Sequence, residues 1–156
     1  MKKIIGMAGL LLSLSGITQA QELGVRFGQI VGGNVAIDGI FNSGQFSRIH
    51  ADVSFGDGLG VEALWDVIYR PLGADGFNWY LGVGPYLFIG DPFQLGVSGE
   101  IGIEYHFKDA PIALGADWRP TLRIVDNTDM IWDRAGFNIR YVFGQATSSS
   151  SKPTSK

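Results

Sequence analysis

The sequence predicts an all-β protein: a closed, eight-stranded, antiparallel transmembrane β-barrel with up-and-down connections. Three observations predict it. Apolar and polar residues alternate with period two from Glu22 to Phe143, the signature of strand rather than helix. Clusters of Gly, Pro, Asn and Asp punctuate the alternation between every pair of runs. The polar face carries arginine, carboxylates and glycine, where a solvated face would carry lysine and glutamate.

The elements follow in order. Leu23, Val25 and Phe27 alternate with Gly24, Arg26 and Gly28. After Gly32-Gly33-Asn34 come Val35, Ile37 and Phe41. After Asn42-Ser43-Gly44, the residues Ile49, Ala51, Val53 and Phe55 alternate with Arg48, His50, Asp52 and Ser54. Beyond Gly56-Asp57-Gly58 a fourth run carries Leu59 to Tyr69 on one face and Glu62 to Arg70 on the other, and ends in the turn Pro71 to Gly76. The fifth opens with Phe77, Trp79, Leu81 and Val83 and turns at Gly90-Asp91-Pro92. The sixth sets Leu95, Val97, Ile101, Ile103, Tyr105 and Phe107 against Ser98, Glu100, Glu104 and His106. Ile112 to Trp118 make the seventh, with Asp117 and Arg119 opposite, and Ala135 to Phe143 the eighth, with Arg134 and Arg140 opposite. Pro85 and Pro120 fall within this pattern. A closed sheet has no free edge for proline, so a bulge or strand end is expected at each.

One domain is the most that 156 residues suggest. Nearly half the residues are apolar (46%) and only 17% charged, which argues against disorder. The 23 glycines argue against a helical bundle. No basic stripe points to nucleic acid, and with no Cys the chain has neither a disulfide scaffold nor a site for a lipid-modified cysteine.

The first twenty residues read as a cleaved signal peptide. Lys2 and Lys3 precede a short apolar run, Ile4 to Leu14, and Thr18-Gln19-Ala20 places small residues at −3 and −1. The run is shorter than the ~20 residues a membrane-spanning helix needs. Without Lys2 and Lys3 the mature chain carries 10 basic and 15 acidic side chains, a net charge of −5. The barrel is expected over residues 21–143, and the Ser-rich segment 144–156 is expected to be a disordered polar tail.

Period two does not say which face is the outside, because a soluble lipocalin-like barrel turns its apolar face inward. Three features decide for an apolar exterior. Between Gln21 and Ser151 the only lysine is Lys108, in a turn. Seven arginines (26, 48, 70, 119, 123, 134 and 140) share the polar face with Asp38, Asp52, Glu62, Asp66, Glu100, Glu104 and Asp117, a balanced set suited to pairing in an enclosed lumen. Eight glycines on that face leave room for long side chains, while the apolar face carries aromatics toward the strand ends. The expected lumenal network is Arg26, Asp38, Arg48, His50, Asp52, Glu62, Asp66, Glu100, Glu104, Asp117, Arg119, Arg134 and Arg140. Tyr69 is assigned to the outer aromatic set.

The chain resembles the small eight-stranded outer-membrane proteins of Gram-negative bacteria, OmpX-like barrels and the OmpA membrane domain. The resemblance spans residues 21–143 and rests on strand number, strand length, the leader and the last strand. There Gly136, Ile139, Tyr141 and Phe143 match the terminal signal read by the barrel-assembly machinery, although that family often ends on the aromatic residue and here polar residues follow. The resemblance implies a bacterial outer-membrane location, lipid and lipopolysaccharide as surroundings, both termini in the periplasm and a monomer. The connections near 32–34, 56–58, 90–92 and 125–130 would then face outward; all are short, which disfavours a large adhesive surface.

No catalytic residue, cofactor or metal is expected. His50, Asp52 and Ser54 share one face of one strand, but residues two apart lie ~6.5–7 Å apart, so they form no triad alone. Lipid-A deacylases that resemble this fold use a His-x-Ser motif; here the sequences read His50-Ala51-Asp52 and His106-Phe107-Lys108. Two histidines and no cysteine are poor material for a transition-metal site. The expected role is structural or interfacial. A lipid-modifying enzyme, a narrow channel and a soluble periplasmic lipocalin-like binder are the alternatives, the last predicting solubility without detergent.

Overall fold

The computed structural model describes residues 21–125 and 127–144; the expected leader at 1–20 and the tail after Gly144 lie outside the described residues. The chain forms ten β segments: β1 Glu22–Ile30, β2 Gly33–Gly44, β3 Ser47–Phe55, β4 Leu59–Pro71, β5 Phe77–Ile89, β6 Gln94–His106, β7 Ile112–Trp118, β8 Thr121–Val125, β9 Asp129–Ile131 and β10 Ala135–Val142. They make eight staves, since β8 continues β7 and β9 continues into β10. β6 pairs with β7 from Ile101↔Trp118 to His106↔Ala113 and with β8 at Ser98↔Thr121, one ladder with Gly99 donating to the Pro120 carbonyl between. All pairings are antiparallel. β1 closes on β10 from Glu22↔Val142 to Gly28↔Gly136, so among the described residues the cylinder has no open seam. The hairpins β1–β2, β3–β4, β5–β6 and β8–β9 gather at one end, here called the mouth, and both termini lie at the other.

The two prolines behave differently. Pro120 sits at a strand end, between β7 and β8. Pro85 does not end its strand: β5 runs through it and it pairs with Val97 on β6, while on the other side the β4 ladder skips from Glu62↔Tyr86 to Trp65↔Val83. The expected bulge lies elsewhere, at Val67 on β4, where the register with β5 steps from Asp66↔Gly82 to Ile68↔Leu81. One extra residue reverses which side chains face inward. Tyr69 therefore pairs with Tyr80 and turns inward, half-buried against the Arg48 guanidinium, contrary to its expected outward placement. Arg70 turns outward for the same reason, and its guanidinium lies 3.6 Å over the Phe46 ring.

Side chains of the two faces separate sharply. Outside, large apolar residues are exposed along every stave: Val25, Ile37, Ile49, Trp65, Val83, Ile101, Ile103 and Ile139 mark the middle. Aromatic rings collect toward the ends. Phe77, Tyr105 and Phe107 meet in series at the terminal end, tilted and then edge to face, beside the edge-to-face pair Tyr141–Phe143. Phe55, Phe93 and Trp132 mark the mouth, Trp132 stacked on Trp118. In the turns of the terminal end Lys108 donates to Asp75 at 2.6 Å, which holds that exposed carboxyl below its ordinary range.

Inside, glycine makes room for length. A Cβ on Gly102 would strike the Tyr80 ring, one on Gly136 the Arg26 guanidinium, and one on Gly115 the Asn138 amide. Tyr80 has no slack, because Arg48 lies 4.5 Å over its ring and it is fully buried. Gly102→Val should therefore lower stability by about 1–3 kcal/mol through overpacking, read as a lower urea midpoint of the refolded barrel. Ile103→Val, on the outer face, should move it far less. Equal midpoints for the two variants would show that the lumen is not close-packed at this level.

Candidate functional site: a charged lumen

The thirteen residues expected in the lumen (Arg26, Asp38, Arg48, His50, Asp52, Glu62, Asp66, Glu100, Glu104, Asp117, Arg119, Arg134 and Arg140) are all buried inside the barrel. Inward-facing positions of consecutive staves bring them together, and they form three tiers.

At the terminal end Arg140 is the hub. Its Nε donates to Glu22 at 2.7 Å and its Nη1 to Asp38 at 3.2 Å, while Nη2 donates to Glu104. Arg48 shares Glu104 at 2.8 Å and donates from Nε to Asp66 at 2.6 Å. Its planar guanidinium also lies 4.4 Å over Tyr69 and 4.5 Å over Tyr80, a sandwich that lysine could not fill. His106 reaches Glu104, two residues back on the same strand, at 2.9 Å. The long glutamate thus closes the gap that separates Cα atoms on one face.

In the middle tier His50 places Nε2 2.6 Å from Asp38 and Nδ1 3.3 Å from Glu100. Arg26 grips Asp117 through Nε and Nη2, the latter at 2.5 Å. Arg119 spans this tier and the next: Nε lies 3.1 Å from Glu100 and 3.3 Å from Asp117, and Nη1 donates to Asp52 and, at 3.5 Å, to Glu62. In the tier toward the mouth Arg134 binds Glu62 through both terminal nitrogens, at 2.9 and 2.7 Å, with Ser98 and Thr121 completing the cluster. Ser54 donates to the Val31 carbonyl.

The balance expected from the sequence does not hold. Five arginines are buried, not seven: Arg70 has turned outward at the Val67 bulge, and Arg123 lies part-exposed at the mouth, bound to Asn127 and Asp129. Eight carboxylates are buried, because Glu22, at the start of β1, joins the seven expected. The lumen therefore holds three more carboxylates than guanidiniums. The excess shows where Asp66 and Glu100 flank Gly82 from the two neighbouring staves: Asp66 Oδ1 and both Glu100 carboxylate oxygens accept no hydrogen bond. Glu22 was legible as an inward residue by period two; its place at the strand start hid it.

Three groups offer His and carboxylate atoms within 4.8 Å of one another: Glu22–Glu104–His106, Asp38–His50–Asp52 and His50–Asp66–Glu100. Each already touches a guanidinium, Arg140, Arg119 and Arg48 respectively. The lumen's positive charge at these nodes is thus supplied by side chains. His50, Asp52 and Ser54 do not bond to one another: His50 and Asp52 both meet Arg119, His50 also meets Asp38, and Ser54 donates to the Val31 carbonyl. Gly136 and the outward, exposed Ile139, Tyr141 and Phe143 lie on or just beyond β10.

No family model matches this chain, and neither a curated protein nor a solved structure does.

Arg119 contacts more carboxylates than any single substitution can replace. Arg119→Met should destabilise the barrel by about 3–5 kcal/mol, because Asp52 and Glu100 are left buried without their cation. Arg70→Ala, on the outer face, should leave the unfolding midpoint nearly unchanged. Similar midpoints for both would refute the tiered network.

Proposed function

We propose that this protein is a small outer-membrane β-barrel, held in the bilayer by its apolar outer face, with a structural or interfacial role in that membrane. The single observation that carries the reading is the inversion of faces. Large apolar side chains are exposed around the whole cylinder while fourteen ionisable or guanidinium-bearing residues are buried within it. In water such a molecule would expose far more contiguous apolar surface than soluble monomers do. In a bilayer the same surface is solvated by acyl chains, and closing the sheet removes the row of unpaired backbone groups that an open edge would expose there. The rings gathered toward both ends match the aromatic girdles of membrane barrels.

The remaining parts of the reading follow from it. Export would rest on the leader at residues 1–20 and insertion on the barrel-assembly machinery acting on the strand that carries Gly136, Ile139, Tyr141 and Phe143. The termini would lie in the periplasm and the mouth would face lipopolysaccharide. The lumen would not conduct at rest, since its cross-section is spanned by Arg48, Arg119 and Arg140 with their carboxylates. It would act as a plug that sets barrel shape, with no catalytic group exposed to substrate.

The test is fractionation of cells producing the full chain, followed by detergent gel migration with and without boiling. The reading expects the protein in the outer-membrane fraction, with the unboiled form running as a compact species. Ile101→Arg, near mid-height on the outer face, should cost about 2–4 kcal/mol in lipid vesicles. Recovery as a freely soluble periplasmic protein, indifferent to Ile101→Arg, would overturn the reading in favour of a soluble barrel.

A further inference from the structure

At its terminal end the lumen opens into a cavity of about 430 Å³, with Gln21, Glu22, Asn42, Tyr69 and His106 in its wall. Of the three groups in which histidine and carboxylate atoms converge, the two built on His50 are fully buried. The third, Glu22–Glu104–His106, reaches this cavity, because His106 keeps 20% of its side chain exposed there. Glu104 and His106 are two apart on β6 and share its inner face, while Glu22 comes from β1.

Two observations mark the group as more than a set of ion pairs. The first is geometric. His106 Nε2 lies 2.9 Å from Glu104 Oε1 and 3.5 Å from Glu22 Oε1, the second spacing beyond ordinary hydrogen-bond range. The two spacings bracket the edge of a tetrahedron around a zinc ion with bonds of about 2.0–2.1 Å, roughly 3.4 Å. The second is charge. In this tier Glu22, Asp38, Glu104 and Asp66 face Arg48 and Arg140, four carboxylates to two guanidiniums. Asp38 is shared with His50, and the other three still outnumber the two cations. The arginines leave room for an ion. Arg140 binds Glu22 through Oε2, so Oε1 stays turned to His106. Arg48 donates to Glu104 Oε1 at 2.8 Å, and an ion would replace the His106 proton on the remaining lone pair of that oxygen. Hydrogen bonds of this kind orient ligating carboxylates.

We propose that Glu22, Glu104 and His106 bind a zinc ion, with its fourth position facing the cavity. Composition argued against a transition-metal site; two carboxylates converging on one imidazole supply what the histidine count lacks. The imidazole selects zinc over magnesium and calcium, which prefer oxygen ligands. The ion joins β1 to β6, staves that are not neighbours in the sheet, and so clips the terminal end of the barrel. The site needs only the barrel, and stands whether the outer face meets lipid or water.

The experiment uses the full-length chain, without an added histidine tag, refolded in detergent and titrated calorimetrically with zinc chloride and, for comparison, magnesium chloride. One zinc per chain is expected, with magnesium weaker by about a hundred-fold or more. Zinc should also raise the urea midpoint, since the ion holds the folded barrel. His106→Gln and Glu22→Gln, each checked for compact migration on unboiled gels, should each weaken zinc by about a hundred-fold or more and abolish the rise in midpoint. Glu22→Gln keeps an acceptor for Arg140, and carries the test if His106→Gln fails to fold. Asp75→Asn/Asp109→Asn, on exposed carboxylates of the same end, should bind zinc as the parent does. No zinc binding by the parent, full affinity in either folded lumenal variant, or equal affinity for magnesium overturns the site. Zinc binding lost in Asp75→Asn/Asp109→Asn places the ion in the turns and overturns it as well.

Discussion

The structure depends on the pairing of buried guanidiniums with buried carboxylates inside a closed sheet. A charge withdrawn from water costs several kcal/mol unless it meets a partner of opposite sign and fills its remaining hydrogen bonds. Five buried arginines each meet a carboxylate, and three of them bridge several: Arg140 joins β1, β2 and β6, Arg48 joins β4 and β6, and Arg119 reaches β3, β4 and β6. Some of these bridges join neighbouring staves, as Arg48 to Asp66, and others cross the lumen, as Arg48 to Glu104 and Arg119 to Asp52. The network therefore acts as a set of struts that fix barrel diameter, and the eight-stave cylinder is small enough for its interior to be filled by side chains.

The exterior follows from the same constraint. Once one face of every strand is committed to the charged lumen, period two sends Val, Ile, Leu and the aromatics outward. The exceptions lie where the period breaks. At Val67 the extra residue carries Tyr69 inward beneath Arg48, and carries Arg70 outward over Phe46. Another step in register falls between β9 and β10, where Trp132 stacks on Trp118 and accepts its indole N–H at the carbonyl. Further register steps fall at Phe27/Ile30, Asn42/Gly44 and Leu95/Gly96, and at Val67 and Trp132 the step re-aims aromatic and cationic side chains near the ends of the barrel.

Much of this was legible in the sequence because it rests on alternation. Stave number, the turns and the thirteen lumenal residues all follow from period two and turn chemistry, which are local. What was not legible is what breaks the period. Nothing in Leu64-Trp65-Asp66-Val67-Ile68 announces an insertion, and Pro85, the residue that seemed to demand one, pairs normally on its β6 side. The charge balance failed for the same reason: Arg70 was counted inward by extrapolating the period past Val67. Glu22 was missed because a strand start offers too little alternation to assign a face. The convergence of Glu22 with Glu104 and His106 was invisible, since β1 and β6 are brought together only by closure of the sheet.

The apolar face looks out and the charged face looks in, and the central proposal built on this is that acyl chains are the outer solvent. The chain contains no cysteine, so single cysteines can be placed along β6 without background. Labelled Leu95→Cys, Val97→Cys, Ile101→Cys and Ile103→Cys in lipid vesicles should be quenched by brominated acyl chains, most strongly toward the middle of the series. Labels at the exposed turn positions Asp57→Cys and Asp109→Cys, one at each end of the barrel, should escape that quenching. Quenching that peaks at mid-strand and vanishes in the turns is the result the account predicts. Quenching by a water-soluble agent at the outward positions, with none by brominated lipid, would contradict it.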